Sequence, residues 1–385
     1  MVTTLRVNRR QFGLAAVSLG LGACARFDLQ NAAAPGPDRL PPDLLPAPND
    51  DYAAWVTAFR SRATAQGISQ STLSSAFRGA GFLPGVVNRD RNQVEFRRSL
   101  EDYLSIAASD ERIEKGQRAL ARHRSTLDAI EARYGIEAEI LTAIWGLESL
   151  YGERQGQIPV VSATSTLAYE GRRGRYFEGE LIAALRILQN GDIEAPAMTG
   201  SWAGAMGHTQ CMPTVFQDYA IDFTGDGRRD IWSADPTDAL ATTASYLDRH
   251  GWTPGLPWGG EVGYGEPTGT VIQPQAGGPR FSTTANFRVI KRYNPSDSYA
   301  LGVGHLADRI AGAGPFRGSF PPDENGLTRA DRITLQERLT ARGFDTQGAD
   351  GVIGANTEAA IRAYQVSQGQ PATGTPSQSM LQSLL

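Results

Sequence analysis

Cysteine is scarce in this sequence: Cys24 and Cys211 are the two in 385 residues, so no disulfide framework can hold the fold. Histidine is scarce too. Its four copies show no His-x-His or His-Glu-x-x-His spacing, which argues against a zinc enzyme. An excess of positive charge is missing: Lys+Arg 37 against Asp+Glu 41 leaves a net charge of -4, with no basic field to hold nucleic acid. Long apolar runs are absent as well, since residues 12–23 fall short of the roughly 20 that span a bilayer. There is no Gly-x-Ser-x-Gly elbow, no phosphate-binding loop and no dinucleotide fingerprint. Cys211 has no nearby base except His208, which makes a cysteine protease a weak reading, and His208 by itself reads as a hydrogen-bonded structural residue. What is plentiful is glycine, 43 copies against a usual share of about 7%. With 41% hydrophobic and 20% charged residues the chain is an ordinary globular one. Its length, against a prior of about 150 residues per domain, forecasts two or three folded units.

Residues 1–24 place Arg6, Arg9 and Arg10 before a short apolar core and small residues, the order of an export signal. The paired arginines resemble a twin-arginine signal, and Leu21-Gly22-Ala23-Cys24 looks like a lipobox that would acylate Cys24. A periplasmic, membrane-anchored lipoprotein of a Gram-negative bacterium is the expectation, with a plain cleaved signal as the alternative. Residues 25–50 are rich in proline and read as an extended spacer.

From Tyr52 onward the pattern turns helical. Trp55, Phe59, Leu73, Phe77, Phe96, Leu100 and Leu104 recur at helical spacing, and Leu120, Leu127 and Ile130 predict one helix over 119–134. The spacing of Ile140, Leu141, Ile144 and Trp145 predicts a helix over 136–150 that Gly152 closes. Further helices are expected over 177–188, 239–250 and 298–311. Residues 251–287, punctuated by Gly and Pro, read as loops with a small sheet. Residues 313–326 read as a linker. Residues 327–385 form a small unit with five acids and five arginines, in which Asn356 or Thr357 caps a helix over 358–368.

Four segments could carry chemistry. Glu148 continues the apolar stripe of its helix, four residues after Ile144 and seven after Leu141. A carboxyl placed there loses water, which raises its pKa and suits it to donate a proton to a glycosidic oxygen; pairing with an arginine at the helix end is the plainer alternative. Residues 200–213 join small residues (Ala203, Gly204, Ala205, Gly207) to Trp202, Met206 and Met212 and to the neutral polar groups of Ser201 and Gln210. That mix fits a sugar site, or a tightly packed core loop. Asp222, Thr224 and Asp226, with the carbonyl of Arg228, follow calcium-loop spacing; Ser233 stands where the closing Glu belongs, so Asp235 or Asp238 would have to complete the cage. Tyr293, Asn294, Ser296 and Tyr299 flank a helix start, where they either cap the helix or line a cleft.

In this order and spacing, the four segments resemble the B-type lytic murein transglycosylases over roughly residues 52–312. The motifs are Trp-Gly-x-Glu-Ser-x-Tyr-Gly around Glu148, Ala-Gly-Ala-Met-Gly-x-x-Gln-x-Met-Pro from Ala203, the Gly-Asp-Gly loop, and Tyr-Asn-x-Ser-x-x-Tyr-Ala from Tyr293. The tail resembles a three-helix peptidoglycan-binding domain, through Leu-Gln-x-x-Leu, Asp-Gly-x-x-Gly-x-x-Thr and Ala-x-x-x-Tyr-Gln. The resemblance implies a mainly α (α+β), lysozyme-like catalytic domain over 51–312 with a small loop/β subdomain, and a binding domain over 327–385. It also implies a monomer whose partners are glycan strands and, through Cys24, a membrane; no nucleic acid; and no cofactor for the chemistry beyond a candidate structural Ca2+ held by Asp222, Thr224, Asp226, Arg228 and Asp238. It assigns the acid/base role to Glu148, and substrate contacts to Ser201, Met206, Gln210, Tyr293, Asn294 and Tyr299. Cys211 stands in place of a usual Phe and His208-Thr209 in place of Tyr-Gly. The implied reaction is non-hydrolytic cleavage between N-acetylmuramic acid and N-acetylglucosamine to 1,6-anhydro ends. A hydrolytic muramidase, with Glu178, Glu180 or Asp192 as second acid, and a non-catalytic wall-binding lipoprotein are the competing readings.

Overall fold

In the computed structural model of this chain, residues 40–92 and 99–385 are described. The export-signal expectation, Cys24 and Phe96 lie outside them. Short polar caps start many of the helices: Asn49, Ser69 and Ser99 each accept the backbone N–H three residues on. Three helices open the fold, α1 (Asp50–Ala65), α2 (Gln70–Ala76) and α3 (Pro84–Arg91). Four follow, α4 (Leu100–Ala107), α5 (Asp110–Arg122), α6 (Arg124–Tyr134) and α7 (Ala138–Ser149). The single helix expected over 119–134 is two. His123 leaves helical geometry between α5 and α6, and the bend lets both pack on α7. The seven-residue step from Leu120 to Leu127 keeps the apolar phase across the bend, which is why the sequence reads as continuous.

Every residue of α7 from Ile140 to Ser149 is buried, so this helix is a central strut rather than a one-faced surface helix. Leu141 and Ile144 share a core with Leu104, Ile130, Leu301 and Leu306. A second core gathers Phe59, Leu181, Met206 and Phe216. It forms around strand β1 (Ile158–Pro159), α8 (Val160–Glu170), α9 (Gly174–Asn190), β2 (Thr199–Gly200), α10 (Pro213–Tyr219) and α11 (Thr237–Arg249). β1 pairs antiparallel with β2, Ile158 opposite Gly200. The glycine-punctuated stretch contains a three-stranded antiparallel sheet, as expected: β3 (Gly259–Glu261), β4 (Thr270–Ile272) and β5 (Phe281–Thr283), in the order β3-β5-β4. α12 (Ala285–Tyr293) and α13 (Asp297–Ile310) complete the large domain.

The last ten residues of the expected spacer belong to the folded body. Residues 42–44 make a 3-10 turn, Leu44 is buried with Leu83 and Val86, and Asp43 meets Arg89 at 2.7 Å. Leucines scattered among the prolines supply the apolar contact that a pure spacer lacks. The 313–326 stretch is likewise fixed to the large domain. Glu261 accepts the N–H groups of Arg317 (2.7 Å) and Gly318 (2.5 Å), and Phe316 stacks on His305 with ring centres 3.9 Å apart.

The tail is a three-helix unit of α14 (Arg329–Ala341), α15 (Ala355–Ser367) and α16 (Gln378–Leu384), closed over Leu335, Leu339, Ile361 and Leu381. Neither Asn356 nor Thr357 caps α15, which begins three residues earlier than expected, after Gly354. The Thr357 hydroxyl instead accepts from Gln336, whose amide also holds Gly351 N–H at 2.7 Å.

One guanidinium ties this unit to the large domain. Arg332 is 2% exposed, and its Nη2 meets Asp102 at 2.7 Å and Glu101 at 3.1 Å on α4. Its Nη1 meets Asp323 at 3.2 Å and its Nε donates to the Gly351 carbonyl. Removing one member of a buried charge cluster costs about 3 kcal/mol, because the partners stay behind unpaired. Arg332→Ala is therefore expected to lower the thermal midpoint and expose 313–326 to protease severalfold faster. Unchanged cleavage kinetics would show that Arg332 does not hold the two units together.

Candidate active site

The site is built at the end of α7. Leu150 (φ 51°) and Tyr151 (φ 60°) both adopt left-handed backbone before Gly152 (φ 91°), so the helix stops two residues before the glycine expected to close it. Such geometry costs about 1–3 kcal/mol per non-glycine residue and persists only where packing enforces it. Tyr151 folds back against Gly146, where a Cβ would lie 2.5 Å from its ring, and its hydroxyl donates to the Arg112 carbonyl at 2.7 Å. His208 locks the same turn. Its Nδ1 accepts from Trp145 Nε1–H at 3.1 Å, which leaves Nε2 to donate to the Ser233 carbonyl at 2.7 Å. Ser149 donates to the His208 carbonyl at 2.5 Å. Burial holds the His208 ring below the usual histidine range, in keeping with this neutral tautomer. The structural reading of His208 holds.

Glu148 sits within that frame and is 3% exposed. Burial in apolar surroundings pushes its carboxyl up to about 8, although the Tyr299 hydroxyl, donating to Oε1 at 2.6 Å, pulls the other way. The helix-end alternative fails: among the described residues no arginine pairs with Glu148. Ser296 caps α13, accepting from Tyr299 N–H, and so sets where that hydroxyl stands.

A cleft of about 1560 Å3 runs past this turn, more than a small-molecule pocket needs. Leu147 and Leu150, on either side of Glu148, line it together with Gln155, Ser201, Trp202 and Trp232. Glu148 is set behind that wall rather than on it. Ser201 is where a cleft residue should be, its Oγ holding Ala205 N–H at 3.1 Å. Gln210 (φ 51°) is buried; its Nε2 donates to the carbonyls of Gln155 (2.9 Å) and Gly207 (2.8 Å), and its Oε1 has no partner among the described residues.

Other expected site residues are buried. Met206 is wholly buried in the second core and is not on the cleft wall. The Tyr293 hydroxyl donates to the Thr209 carbonyl, so it braces the 207–210 turn. Asn294 is buried and turns its Oδ1 to Ser296 N–H at 3.1 Å. The side chains of Trp232 and of the 150–157 turn were not singled out in the sequence, although Gly152 and Gly156 hinted at a close approach there.

The calcium-loop residues hydrogen-bond within the loop and to α11. Asp222 accepts at Oδ1 the N–H of Gly225 (2.6 Å) and Asp226 (3.2 Å), and at Oδ2 that of Gly227 (2.9 Å). Thr224 donates its hydroxyl to Asp222, and Asp226 accepts the N–H of Arg228 at 2.9 Å. Asp238 takes the N–H groups of Phe223, Thr224 and Asp230, pinning the loop to α11. Among the described residues no group of three His, Cys, Asp or Glu is gathered to hold a metal, so a cation here would rely on the Thr224 hydroxyl and the Arg228 carbonyl as well.

The candidate second acids are also committed. Glu178 pairs with Arg62 at 2.8 Å, Asp192 with Arg229 at 2.6 Å, and Glu180 accepts the Thr214 hydroxyl at 2.8 Å.

Residues 51–273 and 265–308 match the family model described as Transglycosylase SLT domain, and residues 328–384 match a peptidoglycan binding domain model. The membrane-bound lytic murein transglycosylase B of Escherichia coli (strain K12) is 33% identical over 211 residues. That alignment spans 46% of this chain and 58% of that relative. SltB3 from Pseudomonas aeruginosa, solved in complex with NAG-NAM-pentapeptide, is 43% identical with a TM-score of 0.69, covering 88% of this chain and all of that one. The Escherichia coli lytic transglycosylase Slt35, solved in complex with calcium, is 26% identical with a TM-score of 0.58, covering 69% and 94%.

A raised carboxyl pKa has a fixed consequence for stability. Between about 4.5 and 8 the folded state keeps a proton on Glu148 that the unfolded chain releases. The folded protein therefore loses stability as pH rises through that window. Glu148→Gln, which cannot ionise, is expected to gain thermal midpoint over the parent from pH 5 to 8, with the gap levelling off above that. A gap independent of pH would mean that the carboxyl titrates normally.

Proposed function

The chain belongs to the Transglycosylase SLT domain family, and on that premise we propose that it cleaves peptidoglycan strands without water. The bond is the β-1,4 link from N-acetylmuramic acid to N-acetylglucosamine. One observation carries the reading: a buried carboxyl that still holds its proton near neutral pH, next to a long cleft.

Tyr299 occupies Oε1 of Glu148, so the acid proton belongs on Oε2. Glu148 gives that proton to the glycosidic oxygen as the C1–O bond breaks, and the muramoyl ring gains oxocarbenium character. The resulting carboxylate then takes the proton of the same ring's C6 hydroxyl. The C6 oxygen attacks C1, closes a 1,6-anhydro ring and returns Glu148 to its acid form. One residue acts first as acid and then as base, so the second carboxylate of ordinary glycosidases has no task. The ion-paired state of Glu178 and Asp192, and the hydrogen-bonded burial of Glu180, favour this over hydrolysis. Trp202 and Trp232 offer ring faces for the sugars. The tail unit would hold the strand, and the wall substrate places the protein in the periplasm. The arginine pair and Cys24 near the N-terminus support export and a lipid anchor there.

Digestion of purified sacculi tests the reaction. Products one water lighter than reducing-end muropeptides are expected, and reducing ends would establish hydrolysis instead. Glu148→Gln should lower turnover at least about a thousandfold while the protein still sediments with sacculi. The rate of the parent enzyme should fall as pH rises past about 8. Tyr299→Phe removes a hydrogen bond that favours the ionised form, so that limb should move to higher pH even as the rate drops. A limb that stays in place would separate Tyr299 from the acid.

A further inference from the structure

The cleft wall beside α7 carries positive charge that the fold does not answer. Arg112, in the first turn of α5, lines the cleft although it is only 7% exposed. Its Nη1 donates to the Ile106 carbonyl at the end of α4, and its Nε has no partner among the described residues. Burial depresses its pKa, and among the described residues it makes no ion pair, while Glu111 attracts it through space. Arg154, in the turn after α7, also lines the cleft, close enough to Arg112 for the two guanidinium groups to repel.

The acids near them, of which Glu111 attracts both arginines, are shared with a third cation. Lys115 holds Glu111 at 2.9 Å and Glu153 at 2.7 Å. Three cations against two anions leave this patch one charge positive. A buried cation without a counter-ion is costly, and a neutral sugar hydroxyl does nothing to discharge it. A carboxylate does, through the paired hydrogen bonds that guanidinium groups offer.

We propose that Arg112 and Arg154 form an anion subsite that takes a carboxylate on the peptide stem of the glycan strand, next to the Glu148 turn. This rests on the proposed function, since only a stem-bearing strand brings carboxylates into the cleft. Arg112 supplies the fixed, desolvated charge. Arg154 is exposed and free to swing onto the ligand. The subsite makes the enzyme prefer stem-bearing strands over naked glycan.

The test compares turnover of stem-bearing strands with that of strands stripped by an amidase, using the full chain. Arg154→Gln should reduce kcat/KM on stem-bearing strands roughly tenfold, mostly through KM, and leave stripped strands unaffected. Arg112→Lys, which keeps the charge and spares the fold, should fall between the parent and Arg154→Gln. Equal losses on both substrates, or none on either, overturn the subsite. If the parent releases nothing from either substrate, the proposed function fails. Calorimetric binding of a stem-bearing disaccharide by the parent and by Arg154→Gln then decides the subsite alone: tenfold weaker binding by the variant supports it and equal binding removes it.

Discussion

The proposed chemistry depends on keeping one carboxyl dry. Glu148 closes a helix buried from Ile140 to Ser149, and its carboxyl accepts the phenol proton of Tyr299. Water would erase the pKa shift that burial creates, so the surroundings are arranged to exclude it. α7 ends in consecutive left-handed residues, Tyr151 folds back over Gly146, and His208 fastens Trp145 and Ser149 to the 231–233 loop. Tyr293 in turn holds the Thr209 carbonyl. These contacts touch no substrate. They fix the acid, and the strain in the turn is offset by the packing that enforces it.

The remainder of the chain presents that acid to a polymer. A cleft larger than a small-molecule pocket passes the α7 turn, with Trp202, Trp232, Arg112 and Arg154 on its wall. The tail unit is clamped by Arg332 rather than left on a free tether, which fixes its orientation with respect to the cleft. A family whose relatives include enzymes solved with muropeptides fits that arrangement.

Much of this was legible in the sequence, for physical reasons. Glu148 interrupts a 3.6-residue apolar period, so spacing pointed to its burial and raised pKa while leaving arginine pairing at the helix end open until the fold decided it. A tail helix and the small sheet were likewise visible in periodicity and breakers, while the three-helix form of the tail came from the family resemblance. Other features were hidden because they depend on tertiary partners. Met206 reads as a cleft residue by composition yet fills the second core, and Tyr293, read as a substrate contact, donates its hydroxyl to the Thr209 carbonyl. The Asp222 loop carries metal spacing, but spacing cannot show that its carboxylates also fasten the loop's own N–H groups. The α5–α6 bend was invisible because the apolar phase runs through it.

The most direct measurement is the titration of the Glu148 carboxyl carbon by NMR in selectively labelled protein, with Glu148→Gln to assign the signal. A midpoint close to 8 is what burial against Tyr299 dictates. A midpoint near the ordinary glutamate value of about 4.3 would mean that the group is solvated and cannot serve as the acid.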